Sequence, residues 1–189
     1  MIPAALVSAG IALAYVSDRG PTNLVTVRAS TYDHSYRVQN LPDKQKAADL
    51  MGVIHQKLDV MLNRYKEDAN TMADPRINVM VERFDPRNLC ENNVDSDSTA
   101  YSENKGERIV LCLRSRQKPY PLVDENTVMF VVLHEMAHLM TTTIGHTPEF
   151  WANFRRLLQD AIGFSVYKET NYNKEPVDYC GMTISDSPL

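Results

Sequence analysis

Cysteine is scarce in this chain: the 189 residues include three, Cys90, Cys112 and Cys180, and no two of them form a C-x-x-C pair. That excludes a disulfide framework and a cysteine-built structural zinc site. A single bridge between Cys90 and Cys112 stays open, as does a role for Cys112 as a small buried hydrophobe in an apolar strand. No N-x-S/T acceptor occurs, which favours a domain not exposed to the secretory lumen. Basic excess is missing too. Lys and Arg number 20 against 24 Asp and Glu, a formal charge of −4, which argues against a broad nucleic-acid footprint. The local basic group Arg108, Arg114, Arg116 and Lys118 reads as a solvated strand face and loop. There is no internal repeat, and 43% hydrophobic residues suit one globular domain with an appendage.

Charge is absent from one whole stretch, Met1 to Val16, and Asp18-Arg19-Gly20-Pro21 ends it. A spanning helix needs about 20 apolar residues, with ~17 as the lower limit, so the run is marginal. Ala5, Ser8, Ala9 and Ala12 give the small-residue spacing of helices that pack closely in lipid. The expectation is a hydrophobic helix over residues 1–17 that anchors the protein to a membrane through residues 2–16. Arg19 and Arg28 would then hold the main domain on the cytoplasmic side. A cleaved signal, or a helix packed on a partner protein, are the alternatives. Residues 18–40 read as a polar linker with short strands at Leu24–Val27 and Tyr36–Val38. The domain proper is expected over 41–189.

Within that domain, Ala47, Leu50, Met51, Ile54, Leu58, Met61, Leu62 and Tyr65 form a 3.6-period stripe, a helix from about Pro42 to Asp68. His55 borders the stripe and reads as packing or a surface hydrogen bond, and His34 as an unassigned polar residue. Alternation at Ile77, Val79 and Val81 after Pro75 predicts a strand. Asp85 to Ser98 reads as a long polar loop. Thr99–Ser102 and Arg108–Leu113 read as a hairpin whose second strand is the better buried.

The chemistry lies further on. His134-Glu135-Met136-Ala137-His138 spells H-E-x-x-H inside a run apolar on all sides, a buried helix with Asp124 as its N-cap. Residues four apart share a helix face, so both imidazoles can grip one metal ion, with the glutamate reaching a water on it. Burying two histidines and a glutamate together without a cation would cost several kcal/mol, which weighs against plain core histidines. Thr141-Thr142-Thr143 and Gly145 break the helix. His146 follows, and Thr147-Pro148-Glu149 caps and starts the next one. Three of the five histidines thus fall in one window, the ligand set of a catalytic Zn2+ site with an open position.

The segment Gly145-His146-Thr147-Pro148-Glu149-Phe150-Trp151, taken with H-E-x-x-H, resembles the SprT/Spartan and WLM zinc peptidases. The short connection from His138 to His146 is closer to WLM proteins, and no cysteine-rich zinc ribbon follows. The hydrophobic N-terminus and the tail from Pro176 to Ile184 are also similar to predicted metallopeptidases of large DNA viruses of algae. The resemblance implies peptide-bond hydrolysis, with His134, His138 and His146 as zinc ligands and Glu135 as general base.

The element order is α+β. It suits a minimal zincin-like core in which a small, mostly antiparallel sheet packs on the H-E-x-x-H helix. An exposed strand edge there lets an extended polypeptide substrate add as a further strand, and Thr99–Ser102 is the candidate. Tyr101 and Tyr179 are the candidate substrate-binding residues. Tyr172 and Arg114 join them as possible donors to the oxyanion, and Glu149 is the first candidate to orient a ligand histidine. A second reading is a structural or assembly protein that keeps the peptidase fold, with viral capsid proteins as partners. Zinc chemistry on a non-peptide amide is a third.

Overall fold

The computed structural model describes residues 23–93, 96, 99–103 and 108–189. The N-terminal hydrophobic helix expected over 1–17 lies outside the described residues. Among the described residues no helix is long and apolar enough to cross a membrane. The expected membrane-associated placement is therefore corrected. The longest helix, α1 (Lys44–Glu67), is long enough to span but buries one stripe and exposes Lys and Asp on the other face.

Within residues 23–40 the short strands expected at Leu24–Val27 and Tyr36–Val38 are present, and they belong to the main sheet as β1 (Leu24–Arg28) and β2 (Ser35–Gln39). Tyr36 and Val38 are buried there, and burial on one face is what fixes a strand in register. After α1 come a single turn, α2 (Ala69–Met72), and a second departure from expectation. Pro75–Arg83 is a helix, α3, not a strand. Asp74 accepts from the Arg76 N–H at 3.0 Å and Pro75 occupies the first turn, both helix-start signals. Ile77, Met80 and Val81 are its buried face, the i, i+3, i+4 set that alternation over so short a run cannot exclude.

The polar stretch expected as a loop conceals a central strand, β3 (Leu89–Glu91), followed by the hairpin β4 (Ala100–Glu103) and β5 (Arg108–Leu111). The sheet order is β1-β2-β3-β5-β4. Its outer pairings, β1–β2 and β4–β5, are antiparallel, but β2–β3 and β3–β5 are parallel. The sheet is thus mixed rather than mostly antiparallel. The expected edge position of the first hairpin strand holds, since β4 is the end strand.

Arg114 is not on a solvated face. It is buried, its Nε donates to Glu91 at 2.8 Å, and its Nη1 donates to both Asp43 oxygens at 2.7 Å. Glu91 also accepts the Gln39 backbone N–H at 2.6 Å. A buried charge needs such partners, and these tie the start of α1 to the sheet centre. The arrangement removes Arg114 from the oxyanion donors.

Two long helices complete the core, α4 (Glu125–Met140) and α5 (Pro148–Gly163). Helix α4 contacts β4 and β5, α1, α3 and α5. That is why it is apolar all round. The tail forms a small hairpin, β6 (Val177–Tyr179) and β7 (Met182–Ile184), turning through Cys180 and Gly181, both with positive φ. Cys180 is bridged to Cys112, with Cα atoms 6.3 Å apart, while Cys90 is buried and takes no part in that bridge. The bridge left open between Cys90 and Cys112 is not made. The Cys112 sulfur is already bonded to Cys180, so Cys90, on β3 in register with Val110, is left out of it.

Candidate metal centre

Helix α4 starts where its sequence says it should. The Asp124 carboxylate accepts from the N–H groups of Asn126 and Thr127 at 2.9 and 3.2 Å. It runs straight through H-E-x-x-H and stops at Thr141, whose hydroxyl donates to the Ala137 carbonyl at 2.7 Å and whose N–H closes on the His138 carbonyl. Gly145, with φ of 85°, makes the turn in a region that side chains avoid. Thr147 caps α5 by accepting the Phe150 N–H. The result is that His146 folds back over the α4 face carrying His134 and His138.

The three expected ligands do converge. Their imidazole ring centres are 4.9 to 5.1 Å apart, and one nitrogen from each lies within 4.8 Å of the others. His146 Nε2 and His134 Nε2 are 3.1 Å apart. Nitrogens on a tetrahedral ion with bonds of ~2.0–2.1 Å sit about 3.3 Å from one another. The donor set therefore fits a zinc-sized cation with modest adjustment. Phe150, fully buried, packs against all three rings at 4.8, 4.4 and 4.6 Å from His134, His138 and His146.

Electrostatics agree with the geometry. Burial, then the neighbouring His138 and His146, hold His134 well below the ordinary imidazole range. Burial, then His146, push His138 down to about 4. Both imidazoles are thus neutral with lone pairs available, the form that ligates a metal. Glu135 is also buried, and that burial raises its carboxyl to about 7.

The other expected site residues fare differently. Tyr101 is half-buried on the edge strand β4, opposite Val110. Tyr179 is 1% exposed and so presents no surface to a polypeptide. Burial, then the charge of Glu135, raises its hydroxyl. Tyr172 is buried as well, packed 4.7 Å from Phe130. Glu149 does not orient a histidine ring. Its carboxylate accepts from the N–H groups and hydroxyls of Thr142 and Thr143 at 2.9–3.3 Å, contacts that keep it below the usual carboxylate range. One residue escaped the sequence reading: Asn153, buried among Phe150, Phe154 and Leu157 on the apolar face of α5. A polar residue inside an otherwise apolar stripe was the available signal.

Residues 31–185 match the WLM domain family. The chain belongs to the WLM family. An uncharacterised protein of Acanthamoeba polyphaga mimivirus is 34% identical over 192 residues, covering 100% of this chain and 97% of that one. Another uncharacterised protein, from Invertebrate iridescent virus 3, is 40% identical over 104 residues, 52% of this chain and 64% of its own length. Among solved structures, a mutant of Wss1 from Saccharomyces cerevisiae superposes with a TM-score of 0.50 at 20% identity, covering 68% of this WLM protein and 87% of the other chain. At that identity the likeness speaks for the fold alone. WLM membership supports a protease-type enzyme acting on polypeptides. It gives no support to the membrane or capsid partners expected above.

Proposed function

We propose that this WLM protein is a zinc-dependent endopeptidase, with His134, His138 and His146 holding the ion and Glu135 moving the proton. The observation that carries the reading is the convergence of three imidazoles, nitrogens within 4.8 Å, beside a buried carboxyl. When bound, zinc would supply a Lewis acid for the scissile carbonyl and a water acidic enough to be deprotonated near neutral pH.

Everything else is the work of the chain. Glu135, next to His134 in the chain and raised to about 7 by burial, is the group that would accept a proton and return it to the leaving amine within one turnover. Phe150 fixes the ring planes, so the lone pairs are aimed before the ion arrives. Strand β4, the end strand of the sheet, is where an extended polypeptide would add, and Tyr101 lies on it. Trp151 and Ile144, two of the few exposed large hydrophobics among the described residues, flank His146 and suit apolar side chains of the same polypeptide.

The test pairs metal content with proteolysis. Glu135→Gln should retain stoichiometric zinc and lose about 10²–10⁴-fold in cleavage of an unfolded protein, the usual worth of a general acid–base. Zinc-loaded wild type that cleaves no polypeptide would sink the proposal.

A further inference from the structure

The connection from the end of α4 to His146, residues 141–145, has little to hold it by burial. Ile144, its large apolar residue, is 78% exposed, and Gly145 contributes no side chain. Yet the position of His146 depends on this segment. Two side chains on one face of α5, four residues apart, take up its polar groups in sequence. The Asn153 amide donates to the Met140 carbonyl at 3.2 Å and to the Thr141 hydroxyl oxygen at 3.0 Å. Glu149 takes the N–H and hydroxyl of Thr142, then the N–H and hydroxyl of Thr143. A contact of 2.7 Å between the Thr143 and Thr147 hydroxyls closes the ring.

The clamp is itself anchored. Asn153 accepts from Arg76 Nη1 at 3.0 Å, and both oxygens of Asp74 hold that arginine. A carboxylate in the first turn of a helix ordinarily serves its own N-terminus. Glu149 instead reaches outward to the preceding segment, while Thr147 does the capping.

We propose that Glu149 and Asn153 are positioning residues for the third ligand: they hold residues 140–143 at the reach that lets His146 meet His134 and His138. The inference rests on the metal-site reading above and concerns how the chain preorganises that site.

Cobalt(II) serves as the probe, its affinity measured by chelator competition on the metal-free protein, with limited proteolysis of the 141–147 connection as a second readout. Glu149→Ala should weaken cobalt binding about 10–100-fold, as loss of a residue supporting a ligand does. It should also speed cleavage of the metal-free connection at an unchanged melting temperature. Glu149→Gln keeps the length and an acceptor oxygen and should lose less of both. Asn153→Ala should weaken cobalt in the same direction, and Glu149, partly exposed, carries the test if that variant fails to fold. Affinity within about twofold of wild type in Glu149→Ala overturns the proposal, whether or not the connection is cut faster, because the contacts would then be structural only. Wild type that binds no cobalt removes the metal reading and the proposal with it. Wild type that binds cobalt, with His146→Ala impaired and Glu149→Ala unimpaired, removes the proposal alone.

Discussion

The molecule contains two groups of histidines in close contact, and among the described residues only one of them gathers three donor nitrogens that could hold a metal ion. Around α1, His34 and His55 have ring centres 5.6 Å apart, little more than in the triad on α4 and α5. They border a cavity of about 500 Å³ that is also lined by Tyr32, Asp59, Phe84 and Arg87. There, however, the protein satisfies the imidazoles itself. The Tyr36 hydroxyl and His55 Nδ1 share a hydrogen bond of 2.7 Å, Asp59 faces His55 Nε2 at 3.7 Å, and His34 Nε2 meets the Arg87 backbone carbonyl at 3.1 Å. In the other group His134 faces a further imidazole, and the nearest acidic residue in the chain, Glu135, is raised to about 7 by burial. Proximity of rings does not make a metal site. What distinguishes the second group is one donor nitrogen from each of three rings, all within 4.8 Å of one another.

The largest test of that contrast is ligand removal. His146→Ala should weaken zinc by more than the ~10–100-fold that follows loss of a mere supporting residue, while His34→Ala leaves it unchanged. Equal losses in the two variants, read by chelator competition, would erase the distinction. A smaller effect belongs to the other cluster. His55→Phe strands the buried Tyr36 hydroxyl and should lower stability by about 1–3 kcal/mol in denaturant unfolding, with metal affinity intact.

The smallest effect is in pH. In the metal-free protein His138 sits at about 4, below its ordinary 6.5, so the unfolded chain takes the proton first; its stabilisation is complete above pH 6.5 and is lost as pH falls through about 4. Glu135 runs the other way. Raised from 4.5 to about 7, it contributes stability that is complete below pH 4.5 and lost as pH rises through about 7. Between pH 4.5 and 6.5 the two oppose each other. Glu135→Gln removes one slope, so the melting temperature of that metal-free variant should fall more steeply than wild type's as pH drops from 6.5 to 4.5. His55, also lowered by burial, acts alike in both proteins. Parallel curves would show that burial does not set these two groups apart.

What was legible in the chain were features carried by local periodicity and caps. Helix α1, the Asp124 and Thr147 caps, the β4–β5 hairpin and the break before His146 all appear where spacing and capping residues place them. The errors lie where tertiary context overrode a short pattern. Ile77, Val79 and Val81 alternate, yet Asp74 and Pro75 start a helix that buries Ile77, Met80 and Val81 against the rest. Leu89-Cys90-Glu91 is too short and too polar to announce a strand. It is one because Arg114, from beyond β5, neutralises Glu91 at the sheet centre. Cys112 and Cys180 are 68 residues apart, and their pairing depends on a tail hairpin whose docking has no local signature.

By itself the sequence determined which residues are the candidate ligands and the candidate proton carrier, and their order, because a four-residue interval on a helix is a fixed distance and direction. The tertiary structure alone decided that the third imidazole closes on the other two, that Phe150 backs all three, and that Asn153 and Glu149 grip the segment between. Those outcomes depend on how α5 packs against α4 across a turn, and contact between elements is a sum of many weak, distant interactions that no short stretch of chain encodes.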